Sequence, residues 1–571
     1  MSANEESSSP QFDGETYRPV CRYGSKCYRK NPAHFREYSH PDKPKGKSLS
    51  SKRSQELASD ISAKKIKSDD VVSISNSNLE CNLSIREGDD GICSMVGHNK
   101  LVSSNSESQN QHNTPSGESF SYQFYLTTVE GIDAKWNSMD RARTLKDILH
   151  ERQEDFESSV QFSFMVDPKW VMRQYPEKSR TKPLLFVVGA GSDCVTDIRE
   201  QGIKHNNVKV AQARLDMPFG THHTKMMLLK YTNALRVVIH TSNLVDYDWA
   251  QKTQGMYVSP FLPMVEDDAE CADSPTQFNF DLIEYIKAYR LKELEKWLNY
   301  IKKVDCSAVR VCLVGSVPGR YTGNEMSKWG HLKMRKLLRS HCISSDVDYS
   351  WPLICQFSSI GSLGSTADSW LQSEFVPSLT ADNVSANNFE VGQKVPVRLI
   401  FPTVDNVRCS LEGYPAGSSI PYSFSTASKQ LYLRSFMSRW KANRTGRTEA
   451  SPHIKSYTRH NRAANQIAWF LVTSANLSKA AWGCLEKKGS QLCVRSYELG
   501  VLYLPKFFQE YQSSDQTTYN RLRHFSFGDK NSFPIPYDLP SDPYKDKDQP
   551  WIVDLPHTDA PDRFGNMWCP T

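Results

Sequence analysis

The sequence lacks the features that direct a protein into a membrane or out of the cell. No run approaches the eighteen or more apolar residues of a membrane-spanning helix. The first residues, MSANEESSSPQF, contain neither the basic stretch nor the apolar stretch of a secretory signal. The 14 cysteines are scattered singly, apart from Cys21 and Cys27, and form no framework typical of secreted domains. We therefore expect a soluble intracellular protein.

A large excess of one charge is also absent. The 70 basic and 64 acidic residues give a net charge of +6, which permits a nucleic-acid partner without establishing one. At 571 residues the chain is too long for one compact core, so two or more domains are expected.

Residues 42–118 are rich in Ser, Asn, Lys, Asp and Glu, and this composition predicts a disordered linker. Basic clusters lie at 43–53 and at 64–67. They are equally consistent with nuclear-localisation signals and with solvated charge. Because either interpretation is compatible with a DNA partner, we predict a nuclear location.

Alternating strands and helices after residue 119 predict an α/β fold. Buried strands are expected at PLLFVVG (183–189), ALRVVIHTS (234–242) and QIAWFLVTS (466–474). Amphipathic helices are expected at 280–304 and 331–341. The boundary between two halves is placed near 307–321, which gives predicted domains of 119–310 and 311–571. The aromatic tail that contains PIPYDLP and PWIVDLP is expected to be ordered, since its aromatic side chains need burial.

One pattern of residues occurs twice. GTHHTKMMLLKYTNALRVVIHTSNLV and SPHIKSYTRHNRAANQIAWFLVTSANLS each contain His-x-Lys, an apolar run and a later Asn before Leu. In an extended segment the His and the Lys lie on the same face. The duplication predicts two pseudo-symmetric halves, each a mixed sheet flanked by helices, which share one active site. The repeated set is His223, Lys225, Asn243, His453, Lys455 and Asn476.

These side chains suit displacement at the phosphorus of a phosphodiester. Imidazole can act as a nucleophile or as a proton donor, because its ordinary pKa is about 6.5. Lysines supply positive charge for the phosphoryl oxygens, and asparagine amides supply directed donors. No carboxylate cluster with two-metal spacing accompanies the motifs, so no catalytic metal is expected. The alternative, a hydrogen-bonded core histidine, is retained for His222 and His240, which have no matching partner in the other copy.

The motifs resemble those of the phospholipase D superfamily, but Lys230 and His460 stand where its signature Asp would fall. That departure, together with QKTQG, SLEGYPAG, PHIKSY, WFLVTSANLSKAAWG, RSYELGVL and GNMW, closely resembles the tyrosyl-DNA phosphodiesterase family from Tyr122 onward. The resemblance implies that His223 forms a phosphohistidine and that His453 is the general acid and base.

The same resemblance implies supporting roles for further residues. Lys225, Lys455, Asn243 and Asn476 would hold the non-bridging oxygens, and Gln254 and Glu498 would orient the histidines in an unassigned pairing. DNA or peptide contacts are implied for Phe219, Ser358, Ser359, Ser362, Ser478 and Trp551. Core packing is an alternative for Phe219 and Trp551.

Residues 17–41 predict a small zinc finger. Cys21, Cys27, His34 and His40 can form a closed tetrahedral zinc site, which is structural rather than catalytic. So short a segment needs metal binding to fold. It resembles the poly(ADP-ribose)-binding finger, and this implies that Tyr23 and Tyr28 stack on adenine while Arg29 meets phosphate. A disordered tail with incidental Cys and His is the alternative.

The sequence thus predicts a monomeric, metal-independent DNA-repair phosphodiesterase with one structural zinc. Its expected partners are single-stranded, nicked or duplex DNA ends with 3′-adducts, a topoisomerase I-derived peptide, and poly(ADP-ribose). No membrane partner is expected. The alternatives are a phospholipase D-like activity on lipid or on an internal nucleic-acid bond, and a poly(ADP-ribose) reader with an inactive core.

Overall fold

The structure is a computed structural model that describes residues 122–189, 196, 200, 206–265, 272–342, 347, 349–381, 394–511, 519–521, 523–528 and 532–570. The predicted finger and linker lie outside these residues. All of the described residues belong to one compact unit. No helix among the described residues has the length and apolarity to cross a membrane.

Two nine-stranded mixed sheets form the framework of this unit. The first sheet has the order β2-β1-β8-β7-β6-β3-β4-β5, and β9 pairs with β7. Its strands are β1 (Phe124–Thr127), β2 (Ala142–Arg143), β3 (Phe156–Phe162), β4 (Leu184–Val188), β5 (Val208–Gln212), β6 (Met226–Tyr231), β7 (Ala234–His240), β8 (Gly255–Val258) and β9 (Leu262–Pro263).

The second sheet has the order β10-β19-β16-β15-β12-β13-β14-β23, and β22 pairs with β16. A three-stranded sheet, β11-β18-β17, and the pair β20-β21 lie outside it. These strands are β10 (Val311–Ser316), β11 (Gly319–Thr322), β12 (Leu353–Gln356), β13 (Val397–Ile400), β14 (Met437–Arg439), β15 (Ser456–His460), β16 (Gln466–Thr473), β17 (Cys484–Glu486), β18 (Gln491–Val494), β19 (Glu498–Tyr503), β20 (Gln509–Tyr511), β21 (Tyr519–Arg521), β22 (Phe525–Ser526) and β23 (Asp542–Pro543).

The two sheets repeat one topology. The path β8-β7-β6-β3-β4-β5 has three antiparallel and then two parallel pairings, and β19-β16-β15-β12-β13-β14 has the same series. The predicted α/β class with two pseudo-symmetric halves is therefore confirmed. The strands predicted at 183–189, 234–242 and 466–474 are also confirmed, as β4, β7 and β16.

Helices cover the sheets, and one of them differs from the prediction. The segment 280–304 was expected to be a single helix, but it breaks at Arg290, whose φ is +52°, and Leu291 is extended. The prediction was wrong because the apolar spacing continues through the break. The α-helices are α1 (Leu145–His150), α2 (Pro168–Gln174), α3 (Asp246–Ala250), α4 (Phe278–Ala288), α5 (Glu295–Ile301), α6 (Gly330–His341), α7 (Val376–Leu379), α8 (Val404–Arg408), α9 (Phe424–Ala427) and α10 (Lys479–Trp482).

Short irregular helices complete the described structure. Leu371–Phe375 forms one π-helical turn. The 3₁₀ segments are Ala134–Asn137, Glu177–Ser179, Lys292–Leu294, Gly323–Lys328, Ala367–Ser369, Tyr414–Ser419, Leu431–Phe436, Asn443–Thr445, Lys487–Gly489 and Pro505–Phe507.

The main hydrophobic core is continuous between the two sheets. Strands β7 and β8 of the first half contact β16 and β19 of the second. The ring of Phe124 lies 5.3 Å from that of Phe470, and Tyr257 lies 6.5 Å from Tyr503. A second cluster lies beneath α1 and α2 on the other face of the first sheet. The tail is ordered as expected, with buried aromatic residues that include Trp551 and Trp568.

Candidate active site

His223 is held by a segment from the opposite half of the molecule. It lies just before β6, and its backbone N–H donates to the carbonyl of Tyr497 at 2.9 Å. Tyr497 donates in return to the carbonyl of Thr221 at 2.9 Å. The side chain of Glu498 then lies 2.9 Å from Nδ1 of His223. Because the carboxylate accepts the Nδ1 proton, Nε2 keeps its lone pair.

His453 is held in the same way by the first half. It lies just before β15, and its N–H donates to the carbonyl of Thr253 at 3.0 Å. Nε2 of Gln254 approaches Nδ1 of His453 to 2.9 Å. The same amide nitrogen donates to the carbonyl of Asp248 at 3.2 Å, which fixes the orientation of the amide. The pairing that the sequence left open is therefore Glu498 with His223 and Gln254 with His453, and each pair crosses the halves.

Asp248 is a second partner of His453 that the sequence analysis missed. Its Oδ2 lies 3.2 Å from Nδ1 of His453 and accepts the backbone N–H of Asn243 at 2.8 Å. The side chain is fully buried. Asp248 lies in α3, and the equivalent position in α10 is Ala481. The repeated pattern therefore does not include Asp248. The signal available in the sequence was an acidic residue shortly after the first Thr-Ser-Asn.

The ammonium groups of the two lysines donate hydrogen bonds to the backbone of the two histidine segments. Nζ of Lys225 donates to the carbonyl of His223 at 2.9 Å, and Nζ of Lys455 donates to that of His453. Both lysines are fully buried. Burial lowers the pKa of Lys225 to about 7. Burial and the neighbouring charge of Lys225 lower the pKa of Lys455 well below its usual value. The positive charges of the two halves thus meet in one place.

The asparagines are also anchored near these groups. Oδ1 of Asn476 accepts the backbone N–H groups of Ser358 at 3.1 Å and Ser359 at 3.0 Å. Since its oxygen is taken, the amide nitrogen is the group that Asn476 can offer to a ligand. Oδ1 of Asn243 is buried without a hydrogen-bond partner among the described residues.

Burial favours the neutral form of both imidazoles. It lowers the pKa of His223, against the raising effect of Glu498, and Lys225 and Lys455 lower it further. It lowers the pKa of His453 to about 3, although Asp248 opposes the shift. A bound phosphodiester adds negative charge and so raises the pKa of both rings.

The carboxylates beside the imidazoles remain ionised. Burial alone would raise the pKa of Asp248, but the net shift is downward because His453, Lys252 and the Asn243 N–H stabilise its charge. The pKa of Glu498 is also lowered against burial, by His223, Ser474 and Lys225.

The residues predicted to contact substrate differ in how exposed their side chains are. Phe219 is 89% exposed with φ of +60°, and Ser362 is exposed as well. Ser359 is half-buried and its hydroxyl donates to the carbonyl of Pro421 at 2.8 Å. Ser358 is buried beside Asn476.

Two further substrate predictions fall on structural positions. The hydroxyl of Ser478 accepts the N–H of Ala481 at 3.1 Å and caps α10. The substrate contact predicted for Trp551 was wrong. This residue is 0% exposed, and its indole donates to the carbonyl of Gly417 at 3.0 Å. A ring enclosed by the core cannot contact a substrate, so Trp551 is a core anchor here.

Phe164 is a cleft residue that the motifs did not indicate. Its ring meets that of His223 edge-on at 5.6 Å, and Nζ of Lys225 lies 5.6 Å from the ring centre. It remains 40% exposed, which leaves apolar surface beside the proposed nucleophile. It follows β3 in a segment without a counterpart among the repeated residues.

His222, Lys230 and His460 lie outside the paired set, and each has a structural partner. The ring of His222 is buried and contacts the carbonyl of Ser163 at 3.3 Å and the hydroxyl of Tyr289 at 3.1 Å. His240 is buried as well. Lys230 pairs with Glu157, and Nδ1 of His460 contacts the carbonyl of Asn461. His222 is therefore a hydrogen-bonded core histidine, the alternative that the sequence left open, whereas neither ring nitrogen of His240 has a hydrogen-bond partner among the described residues.

A duplicated α/β fold that brings two His-Lys-Asn sets to one point defines a phosphodiesterase of the phospholipase D type. Residues 123–545 match the family described as tyrosyl-DNA phosphodiesterase. The chain belongs to this family, and it is a DNA-repair phosphodiesterase. Residues 18–43 match the PBZ domain, which confirms the predicted finger family.

Curated relatives and a solved structure agree with this assignment. Tyrosyl-DNA phosphodiesterase 1 of Drosophila melanogaster is 34% identical and covers 94% of this chain and 99% of its own length. The Arabidopsis thaliana protein of that name is 35% identical, over 80% of this chain and 78% of its own. The crystal structure of the yeast tyrosyl-DNA phosphodiesterase shares the fold, with a TM-score of 0.58 and 22% identity over 76% of this chain and 99% of that one.

Proposed function

We propose that this phosphodiesterase hydrolyses the 3′-phosphotyrosyl bond between DNA and a topoisomerase IB tyrosine, and other 3′-blocking adducts, through a phosphohistidine. In the first step, Nε2 of His223 attacks the phosphorus as the bond to the tyrosyl oxygen breaks. The hydrogen bond of His223 with Glu498 supports this role, because it keeps the proton on Nδ1 and the lone pair on Nε2. The departing phenolate takes a proton from the imidazolium of His453.

In the second step His453, now neutral, takes a proton from water that attacks the phosphorus. The bond from phosphorus to His223 breaks, and the DNA leaves with a 3′-phosphate. The carboxylate of Asp248, at 3.2 Å from Nδ1, would stabilise the imidazolium of His453 that the first step requires. Lys225, Lys455, Asn243 and Asn476 would hold the non-bridging oxygens. In this scheme the lysines neutralise the phosphoryl charge and the amides donate hydrogen bonds to the phosphoryl oxygens, so no catalytic metal is assigned a role.

The DNA strand is proposed to contact five side chains, those of Phe219, Ser358, Ser359, Ser362 and Ser478. An aromatic side chain that is as exposed as Phe219 can stack on an unpaired base. Serine hydroxyls and backbone N–H groups can contact phosphates without reading sequence. We therefore expect single-stranded, nicked and duplex ends to be accepted.

The match of residues 18–43 to the PBZ domain supports a structural zinc on Cys21, Cys27, His34 and His40. The finger would bind poly(ADP-ribose) through Tyr23, Tyr28 and Arg29, and so retain the enzyme at damaged DNA. We further propose that the protein acts as a monomer in the nucleus.

The crossed placement of each histidine against a partner from the other half carries the proposal. Its test is a gel assay of a 3′-phosphotyrosyl oligonucleotide. His223→Ala should abolish turnover, and His453→Ala should accumulate a covalent protein–DNA species. Phosphatidylcholine tested in parallel should remain intact. Full activity of His223→Ala, or cleavage of the lipid alone, would refute the proposal.

A further inference from the structure

A cavity of about 400 Å³ lies between the halves, and neither His223 nor His453 lines it. Its walls come from β1, β2 and residues 136–141 of the first half and from residues 444–447, 527–528 and 532–537 of the second. This volume is within the range of about 300–1,000 Å³ that small-molecule sites occupy. The mechanism proposed above uses none of the residues that line it.

Among the residues that the structure describes, the cavity wall carries four arginines and one carboxylate, that of Asp140. Arg143 is satisfied by Glu151 at 2.5 Å, and Arg141 lies 3.7 Å from Asp140. Arg444 and Arg447 form no ion pair with any residue in the described ranges. Within the described residues, the wall therefore holds more positive charge than the neighbouring carboxylates neutralise.

Arg447 is the most constrained of these cations. It is 2% exposed, and its guanidinium donates to three carbonyls, of Thr445 at 2.8 Å, Trp136 at 3.0 Å and Thr127 at 3.1 Å. Its Nε is buried and has no hydrogen-bond partner among the described residues. Burial and the nearby charge of Arg141 lower its pKa to about 10. A buried cation without a counter-ion is costly unless an anion joins it.

Arg444 lies at the rim, where a ligand would enter. Its side chain is exposed, and its backbone N–H, rather than its guanidinium, donates to Asp538 at 3.0 Å. Its guanidinium lies close against Gly528, where a Cβ would meet Nη1 at 2.9 Å. The guanidinium is thus positioned at the mouth with its donors uncommitted.

Aromatic rings form the rest of the wall. Trp136 packs directly on Gly446, where a Cβ would lie 2.1 Å from the ring, and so it is fixed in place. Tyr122 and Tyr125 also line the cavity and are half-buried, so part of each side chain remains exposed. Rigid aromatic surface beside uncompensated guanidinium groups suits a ligand with a planar ring and a phosphate.

We propose that this cavity is a second ligand site, distinct from the catalytic cleft, which binds a nucleoside monophosphate unit. Arg444 and Arg447 hold the phosphate, and the aromatic wall packs against the base. The unit is either a free nucleotide or the 5′-terminal nucleotide of a strand, since both present the same group.

Calorimetric titration of the full chain tests the site. The probes are thymidine 5′-monophosphate, thymidine, inorganic phosphate and the 5′-phosphorylated dinucleotide pTpT. We expect the monophosphate to bind at least tenfold more tightly than thymidine or phosphate alone. Tighter binding of pTpT identifies a strand end, and equal or weaker binding identifies a free nucleotide.

Variants separate this cavity from the cleft. Arg444→Gln changes an exposed side chain and should weaken the monophosphate at least tenfold while it leaves cleavage of a 3′-phosphotyrosyl oligonucleotide unchanged. Arg462→Gln, an exposed arginine that does not line the cavity, is the matched control and should have no effect. The proposal is overturned if thymidine binds as well as its monophosphate. It is also overturned if Lys225→Ala abolishes binding and Arg444→Gln does not.

Discussion

His223 and His453 occupy equivalent positions but must handle their protons differently. A nucleophile needs a lone pair on Nε2, whereas a general acid needs a proton there. Glu498 meets the first need with a single carboxylate. His453 has both an amide and a carboxylate at Nδ1, since Gln254 and Asp248 lie within 3.2 Å. This asymmetry in an otherwise repeated site supports the proposed acid role of His453.

Asp248→Asn should slow the enzyme by about tenfold to a hundredfold, within the range that general acid–base groups contribute. Without the carboxylate the pKa of His453 falls further, so less imidazolium is present to protonate the leaving group. Asparagine can still accept the N–H of Asn243 through Oδ1, which preserves the fold. Single-turnover rates measured across pH check the prediction. The pH above which the rate falls should be lower in the variant than in the wild type. An unchanged profile would show that Asp248 is only structural.

The pKa of Lys225, lowered to about 7 by burial, predicts the alkaline side of the pH profile. Below pH 7 the ammonium is charged and attracts the phosphodiester, and above pH 7 this attraction is lost. Loss of the Lys225 charge should by itself lower kcat/KM about tenfold per pH unit well above pH 7. The acid side should lie below pH 6.5, because the pKa of His223 is lowered from that value. A kcat/KM that stays level to pH 9 would contradict the assignment.

Strands β8 and β19 position the two histidine partners, and each contains a glycine that permits close packing. Gly255 of β8 faces Ile454, the residue after His453, and a Cβ there would lie 2.5 Å from Cδ1 of that side chain. Gly500 of β19 approaches Thr473 equally closely. Gly255 thus lets the first half approach the His453 segment, and Gly500 permits close packing of β19 on β16 within the second half.

Gly255→Ala should destabilise the protein by about 1–3 kcal/mol, the usual effect of overpacking a core. It should also reduce activity, since it displaces the His453 segment. Ile454→Val removes the atom that the new methyl group would strike. Urea unfolding of the single and double variants is the measurement, and Gly255→Ala combined with Ile454→Val should recover most of the loss. If both variants are equally unstable, the contact with Ile454 is not the cause.

Elements were predictable from the sequence where one local signal decided them. Strands β4, β7 and β16 are buried apolar runs, and they formed as predicted. The break at Arg290 was not predictable, because no Gly or Pro marks it and the helical spacing continues. The partner of each histidine was also hidden, since it depends on how β8 and β19 of opposite halves meet. The substrate contact of Trp551 was predicted from resemblance. The burial of this side chain depends on the surrounding fold, which the local sequence does not reveal.

At the scale of the whole molecule, the repeat does not make two independent domains. Each histidine is oriented by the other half, and the hydrophobic core runs through both sheets. Arg447 of the second half adds polar links to the carbonyls of Thr127 and Trp136 in the first. Separation of the halves would expose this core and dissolve the site at the same time.

We therefore expect the catalytic unit to unfold in one cooperative transition. Arg447→Met removes charged hydrogen bonds between the halves and leaves buried carbonyls unpaired, which should lower the free energy of unfolding by about 2–4 kcal/mol. Far-UV circular dichroism and tryptophan fluorescence should give superimposable urea curves for both proteins, because coupled halves lose their sheets and their buried indoles together. Arg447→Lys, which keeps a charge, should show a smaller loss. Two separated transitions in the wild type, or a variant that shifts only one of them, would mean that the halves fold independently and that the shared site is a weak association.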